Sequence, residues 1–201
     1  MKKININSQQ THFIGCWDLE NKKLCDEIIT FFENNKSIQK KGASGAGIDL
    51  NIKKTTDIRI TPNDLKNPKF EIFNQYIKEL HKCFLDYQDQ WPFLKSMLKT
   101  ADIPAFNIQK YSRGDHFAAL HSERTTLSTL HRLFAWMTYL NDVEDGGQTN
   151  FNHYKIKIKP EIGKTLIWPA EWTHAHTGEI LKGGTKYIVT GWMQFPILDT
   201  K

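Results

Sequence analysis

Three residues in the middle of the chain, His121-Ser122-Glu123, carry its clearest chemical possibility. In an extended backbone, side chains at i and i+2 leave the same face, so an imidazole and a carboxylate converge. With a second imidazole from elsewhere, the set becomes two histidines and one carboxylate on one face of an octahedral metal. That arrangement leaves three positions open for a ligand and oxygen. Taken alone, His-x-Glu recurs by chance, and a surface pair is its commoner meaning. The second imidazole would come from Trp172-Thr173-His174-Ala175-His176-Thr177-Gly178, where both histidines share a face if the stretch is extended, so periodicity leaves the choice open. A third element, Lys186-Tyr187-Ile188-Val189-Thr190-Gly191-Trp192, brings a cation and a hydroxyl to one face of an apolar strand. An unpaired buried ammonium is costly, so Lys186 asks for a carboxylate, which an acidic ligand reaching in from the metal would supply. The alternative is that Lys186 sits at an exposed strand start.

The elements that would hold these residues lie mainly after Ala105. There, short segments rich in β-branched and aromatic residues alternate with Asp-Gly, Gly-Gly and Pro turns. Strands are expected at 105–110, 117–123, 132–141, 149–151, 154–158, 165–168 and 186–195, a spacing that suits a sandwich or small barrel. Before them, Leu24, Ile28, Phe31 and Phe32 mark an amphipathic helix over 21–35. Phe70, Phe73, Tyr76, Ile77, Leu80, Phe84 and Tyr87 mark a second one, closed by Pro92. The aromatic stripe of the second helix reads as core packing. Between the helices, residues 36–51 form a Gly-rich loop, either a lid or a simple connection. The organisation expected is one domain over 1–201, with a mainly helical part, 1–104, and a β core, 105–201.

Bulk properties narrow the function classes. At 39% hydrophobic and 24% charged residues the chain is an ordinary folding sequence. It has no signal-peptide pattern at the start and no apolar run long enough to span a bilayer, so a cytoplasmic protein without membrane partners is expected. Cys16, Cys25 and Cys83 are spread without a C-x-x-C pair, which suggests neither disulfides nor a thiolate metal site. The net charge of +5 comes from scattered lysines, with short clusters at Lys22-Lys23, Lys40-Lys41 and Lys53-Lys54 that read as solvated surface.

From Ile108 to Phe195 the chain resembles the prolyl 4-hydroxylase-like branch of the iron(II)/2-oxoglutarate dioxygenases, in its bacterial and phage form. The resemblance rests on motifs in the family's order. Tyr111 and Gly114 precede His121-Ser122-Glu123. Arg132, Met137-Thr138-Tyr139-Leu140-Asn141 and Gly146-Gly147-Gln148-Thr149-Asn150-Phe151 follow. Then come Pro160, Gly163, Thr165-Leu166-Ile167-Trp168-Pro169, and His176 ten residues before Lys186, with Trp192 behind. It implies an α+β fold, a double-stranded β-helix (jelly-roll, cupin-like) core with two long helices from the N-terminal half packed outside.

The resemblance also implies chemistry: iron(II) and 2-oxoglutarate as cofactor and cosubstrate, with O2, and ascorbate as a candidate reductant. The family converts 2-oxoglutarate to succinate and CO2 while hydroxylating a substrate C–H bond. The family's ten-residue spacing from distal histidine to basic residue selects His176 as metal ligand with His121 and Glu123. His174 is left beside the metal or on the substrate side. Tyr111, Tyr139, Lys186 and Thr190 are implied as 2-oxoglutarate contacts. Tyr139 has independent support, since its strand face carries Leu133, Ala135 and Met137. Two departures stand out: glutamate at 123 where aspartate is commoner, and lysine at 186 where several branches have arginine, which exchanges a planar fork for a point charge. Arg113, His116, Arg124 and Trp172 flank the expected mouth. A peptidyl prolyl-type side chain or small molecule is the favoured substrate, on analogy alone. A nucleic-acid demethylase is disfavoured, because Lys182–Lys186 offers no arginine-rich closing motif. Other readings are a non-catalytic jelly-roll binding module and a different cupin-like metalloenzyme. Oligomeric state is left open.

Overall fold

The computed structural model describes residues 1–4, 6, 11–45 and 47–196. Among the described residues, thirteen strands run in chain order: β1 Lys2–Lys3, β2 Gly15–Asp18, β3 Lys40–Lys41, β4 Lys53–Lys54, β5 Thr56–Ile60, β6 Phe106–Tyr111, β7 His116–His121, β8 Arg132–Tyr139, β9 Thr149–Phe151, β10 Ile156–Ile158, β11 Lys164–Pro169, β12 His176–Gly178 and β13 Lys186–Gln194. Three α-helices accompany them: α1 Lys22–Asn34, α2 Glu71–Asp89 and α3 Pro92–Met97. An eight-stranded sheet has the order β1-β2-β11-β8-β13-β6-β5-β3, and a five-stranded sheet has the order β10-β9-β12-β7-β4. In the β half the chain passes back and forth between the sheets: β6, β8, β11 and β13 lie in the large one, and β7, the β9–β10 hairpin and β12 in the small one. This alternation is the winding of a double-stranded β-helix.

The central strands of the large sheet, β2, β11, β8, β13 and β6, have residues buried on both faces, while the edge strands β1 and β3 are exposed. Outward-facing Trp17, Phe106, Phe134, Trp136, Ile167 and Val189 join a core with Leu24, Ile28 and Phe32 of α1 and Phe73, Tyr76, Leu80 and Phe84 of α2. Inward-facing Cys16, Tyr111, Ala135, Met137, Tyr139, Leu166, Trp168 and Ile188 form a second core toward the small sheet. Leu133 differs from the reading above: it packs with the helix-side core, while its strand neighbours Ala135, Met137 and Tyr139 point inward. Gly191 lets β13 approach β8, since a Cβ there would stand 2.7 Å from Phe106 Cβ and 2.8 Å from Trp136 Cζ2.

α1 starts where Asn21 caps the helix by accepting a hydrogen bond from Leu24 N at 3.3 Å. α2 begins only at Glu71, after two 3-10 turns over 64–66 and 68–70. Pro92 does not close α2, which ends at Asp89. It opens α3, because a missing N–H costs nothing in a first helical turn.

The first 104 residues are less helical in character than expected, for they contribute β1, β2, β3 and β5 to the large sheet and β4 to the small one. The Gly-rich stretch 36–51 is partly ordered into a 3-10 turn at 36–38, β3 and a Ser44–Gly47 bridge. Nor is Lys53 a solvated lysine. It is 4% exposed, and its Nζ lies 2.7 Å from Asp57 Oδ2. The cysteines are free and buried as expected, and burial pushes the Cys25 thiol up to about 11. No helix among the described residues is long and apolar enough to cross a membrane.

Candidate metal centre

β7 and β12 are neighbours in the small sheet, and their register sets His121 directly opposite His176. Glu123 reaches the same point by another route than expected. β7 ends at His121, so the carboxylate arrives from the turn that follows the strand. Glu123 Oε1 lies 3.8 Å from His121 Nε2 and 3.5 Å from His176 Nε2, and the three donor atoms are within 4.8 Å of one another.

The orientation of each imidazole is set from behind. His121 Nδ1 lies 2.8 Å from Ala119 O, and His176 Nδ1 lies 2.9 Å from His174 O. A carbonyl can only accept, so each Nδ1 carries a proton and each Nε2 is the ring nitrogen turned to the shared point. Phe117 stacks on His121, with ring centroids 3.8 Å apart. Burial, together with the neighbouring His121, pushes the pKa of His176 down to about 4, so at neutral pH it is in the ligating form. Trp192 Nε1 donates to Glu123 Oε2 at 2.5 Å, which leaves Oε1 for the histidines. The Arg132 guanidinium stacks 3.7 Å from the Trp192 ring and donates to Glu123 O at 2.9 Å. Arg132 and Trp192 were visible as motif positions, yet their supporting role was not, because it depends on contacts across 60 residues of chain.

His174 faces elsewhere. The segment holding it is a 3-10 turn over Trp172–His174, not an extended strand, so the two histidines do not share a face. Its Nε2 donates to His12 O at 2.8 Å, and burial lowers its pKa.

Deeper between the sheets stands Lys186, 3% exposed, which rules out an exposed strand start. Its Nζ donates to Gly147 O at 2.9 Å and lies 4.0 Å from the centroid of Tyr111, its direct cross-strand partner. Among the described residues no carboxylate pairs with it, and desolvation pushes its pKa down to about 7. Gly147, at φ +69°, is shaped to this cation: a Cβ there would stand 3.2 Å from Lys186 Cδ. Tyr111 OH donates to Gln109 Oε1 at 2.8 Å, and burial raises its pKa. Gln109 Nε2 in turn donates to Asp57, the partner of Lys53.

Tyr139, fully buried, exchanges a 2.6 Å hydrogen bond with Thr149 Oγ1. Thr190 lies on the face of Lys186 but gives its hydroxyl to Trp136 O at 2.9 Å. At the mouth, Arg124 pairs with Glu171, joining the turn after β7 to the turn before β12, and Trp172 is 70% exposed. Two imidazoles and a carboxylate facing one point, with an unmatched ammonium deeper in the same interior, suit a divalent metal and a chelating acid whose far carboxylate meets the cation.

Residues 106–194 match the sequence model of the 2OG-Fe(II) oxygenase superfamily. No curated protein matches the chain. Among solved structures, the chain is similar to a Pseudomonas putida prolyl-4-hydroxylase, with TM-score 0.69 and 17% identity over 93% of this chain and 95% of that one. It is similar to the viral collagen prolyl hydroxylase of Paramecium Bursaria Chlorella virus-1 in its 2OG complex, with TM-score 0.65 and 18% identity over 92% and 97%. A third is a Trichoplax adhaerens prolyl hydroxylase in complex with a hypoxia inducible factor peptide fragment, with TM-score 0.70 and 15% identity over 92% and 84%.

Proposed function

Because residues 106–194 belong to the 2OG-Fe(II) oxygenase superfamily, which makes the chain a 2-oxoglutarate-dependent dioxygenase using Fe(II) and O2, we propose that His121, Glu123 and His176 hold the metal and that Lys186 receives the far carboxylate of 2-oxoglutarate. When bound, the metal and cosubstrate supply the oxidation that places a hydroxyl on a substrate C–H bond. The observation that carries the residue assignment is the buried Lys186 ammonium without a carboxylate partner among the described residues, in the same interior as the three facing donors.

The chain's own residues orient and exclude. His121 and His176 turn their Nε2 atoms to the shared point because Ala119 O and His174 O hold their Nδ1 atoms. Trp192 holds the Glu123 carboxylate and Arg132 its backbone carbonyl, which together aim the side chain at the shared point. Gly147 O keeps the Lys186 ammonium in place until an acid arrives, and Tyr111 stands against it with a hydroxyl that can turn from Gln109 to the ligand. Thr190 and Tyr139 line the same interior, their hydroxyls shared with Trp136 O and Thr149. The apolar walls formed by Met137, Leu166 and Ile188 keep water from the reacting centre.

The substrate we favour is a side chain on a peptide, prolyl in type. Its support is the fold shared with three prolyl hydroxylases and an exposed rim of Leu120, Leu127 and Trp172. Succinate formation from 2-oxoglutarate with iron(II), ascorbate and air tests the assignment. His121→Ala, Glu123→Ala and His176→Ala are each expected to fall to background, whereas His174→Ala, which removes no ligand, is expected to keep turnover when iron(II) is supplied in large excess. Undiminished turnover in the first three would sink the metal assignment.

A further inference from the structure

The metal ligands all lie within the span that matches the family, yet the support for one of them leaves that span and runs to the beginning of the chain. His176 Nδ1 donates to the carbonyl of His174 at 2.9 Å. That carbonyl is no free-standing strut: it belongs to a one-turn 3-10 helix whose His174 side chain is 3% exposed and fully engaged. Its Nε2 donates to His12 O at 2.8 Å, its Nδ1 lies 2.9 Å from the Thr173 hydroxyl, and the Tyr154 ring packs 5.2 Å away. A carbonyl at Nε2 fixes the tautomer, so the Thr173 hydroxyl is the donor to Nδ1.

The acceptor at the far end is itself tied down. Phe13, the residue after His12, has φ +52°, a left-handed conformation that a bulky side chain rarely adopts and that turns the strap sharply. Phe13 O accepts a 2.6 Å hydrogen bond from Tyr87 OH on α2, and Ile14 N donates to His12 Nδ1 at 3.1 Å. Directly beyond, Gly15 enters β2, paired to β11. A continuous line of hydrogen bonds therefore leads from α2 through the strap 11–14 and the His174 side chain to the backbone that orients His176.

We propose that the strap 11–14 and His174 form a positioning device for the metal ligand His176, so that metal affinity depends on residues far ahead of that ligand in the chain, outside the span that matches the family. The inference rests on the reading that His121, Glu123 and His176 bind a divalent ion. In this device His174 is a positioning residue and never touches the metal. Cutting it frees the 3-10 turn to move and lets the His176 imidazole sample other orientations.

The test uses Co(II) titration of the full chain, followed by its visible absorption, with thermal unfolding of the metal-free protein measured in parallel. His174→Leu keeps an apolar side chain and removes both hydrogen bonds; it is expected to weaken Co(II) binding by about 10- to 100-fold, the usual range for lost partners of a ligating histidine. His174→Gln, whose amide can still donate to His12 O, is expected to recover most of that loss. Tyr87→Phe, which releases the strap at its other end and leaves the turn untouched, is expected to weaken binding to a smaller extent. Equal Co(II) affinity in wild type, His174→Leu and Tyr87→Phe would overturn the proposal, as would a loss in His174→Gln as deep as in His174→Leu. Wild type that takes up no Co(II), or a His121→Ala variant that takes up as much, would instead overturn the metal reading beneath it.

Discussion

The two faces of the eight-stranded sheet are both buried and are built on different terms. Toward the helices, Trp136, Phe106, Phe73 and Tyr76 interlock, with ring centroids 5.7–5.9 Å apart. The hydroxyls on that side close a chain on themselves, from Tyr76 to Thr138 to Thr165 at 2.7 Å each. Toward the small sheet, the apolar packing of Met137, Leu166 and Trp168 surrounds an ammonium answered by one carbonyl and three ligand atoms that face one another. The first face pairs its hydroxyls with one another, although the buried Trp136 Nε1 there has no partner, whereas the second, on the function proposed above, is completed by a ligand. Stability and function are therefore assigned to opposite sides of the same strands, residue by alternate residue.

That division can be broken in three ways. Phe73→Ala opens a cavity on the helix side and should cost about 3–5 kcal/mol of unfolding free energy, read by denaturant melts, while the Kd for 2-oxoglutarate in the folded fraction stays put. A matching loss of affinity would show that the two faces are not separable. On the other side, Lys186→Met should raise the KM for 2-oxoglutarate by about 30-fold or more, as expected when the partner of a buried charge is removed. The metal-free protein should be no less stable than wild type, since a desolvated ammonium is replaced by an apolar chain. A destabilised Met variant with unchanged KM would reverse the assignment.

The third test is one of pH. Because Lys186 titrates at about 7 in the ligand-free fold, above that value it must take up a proton to meet a carboxylate. Affinity for 2-oxoglutarate, measured by calorimetry with Mn(II) present, should fall by about tenfold per pH unit above 7 in wild type and not in Lys186→Met. Linkage fixes the sign for stability too. The unfolded lysine, near its ordinary pKa of about 10.4, holds its proton where the folded one has lost it. The ligand-free fold therefore gains stability as pH rises from about 7 toward 10.4, and below 7 the full cost of burying the ammonium remains.

How far the sequence foretold this depends on the residue. β6, β8, β9, β11 and β13 were legible because β-branched and aromatic runs sit between strong turn residues, and the inward face of β13 was legible from Lys186 and Thr190 alone. β2 was not, since Gly15-Cys16-Trp17-Asp18 is too short to show a period and is buried on both sides. β5 does alternate, at Ile58-Arg59-Ile60, but it lies among charged residues and between helical signals. Lys53 looked like half of a surface pair, and only Asp57 and Gln109, brought in by β5 and β6, make it an interior residue. At the site, the residue types of His121 and Glu123 told more than their spacing. The strand that was to align them stops at His121, and what aims Glu123 is Trp192, 69 positions away. His174 and His176 could not be separated by period because the chain there is a turn.

The pinned tautomers of His121 and His176 have a consequence for the life of the protein. Small zinc-stapled domains assemble around their metal and collapse without it. Here the carbonyls of Ala119 and His174 hold both imidazoles in a fold closed by its own sheets and helices. Loading and loss of the ion at the proposed site are thus expected to be local events, and a chain emptied by a chelator should stay folded, which its far-UV circular dichroism would check. A site of two nitrogens and one oxygen ranks divalent ions much as most such sites do, so geometry and supply together would decide which ion it carries.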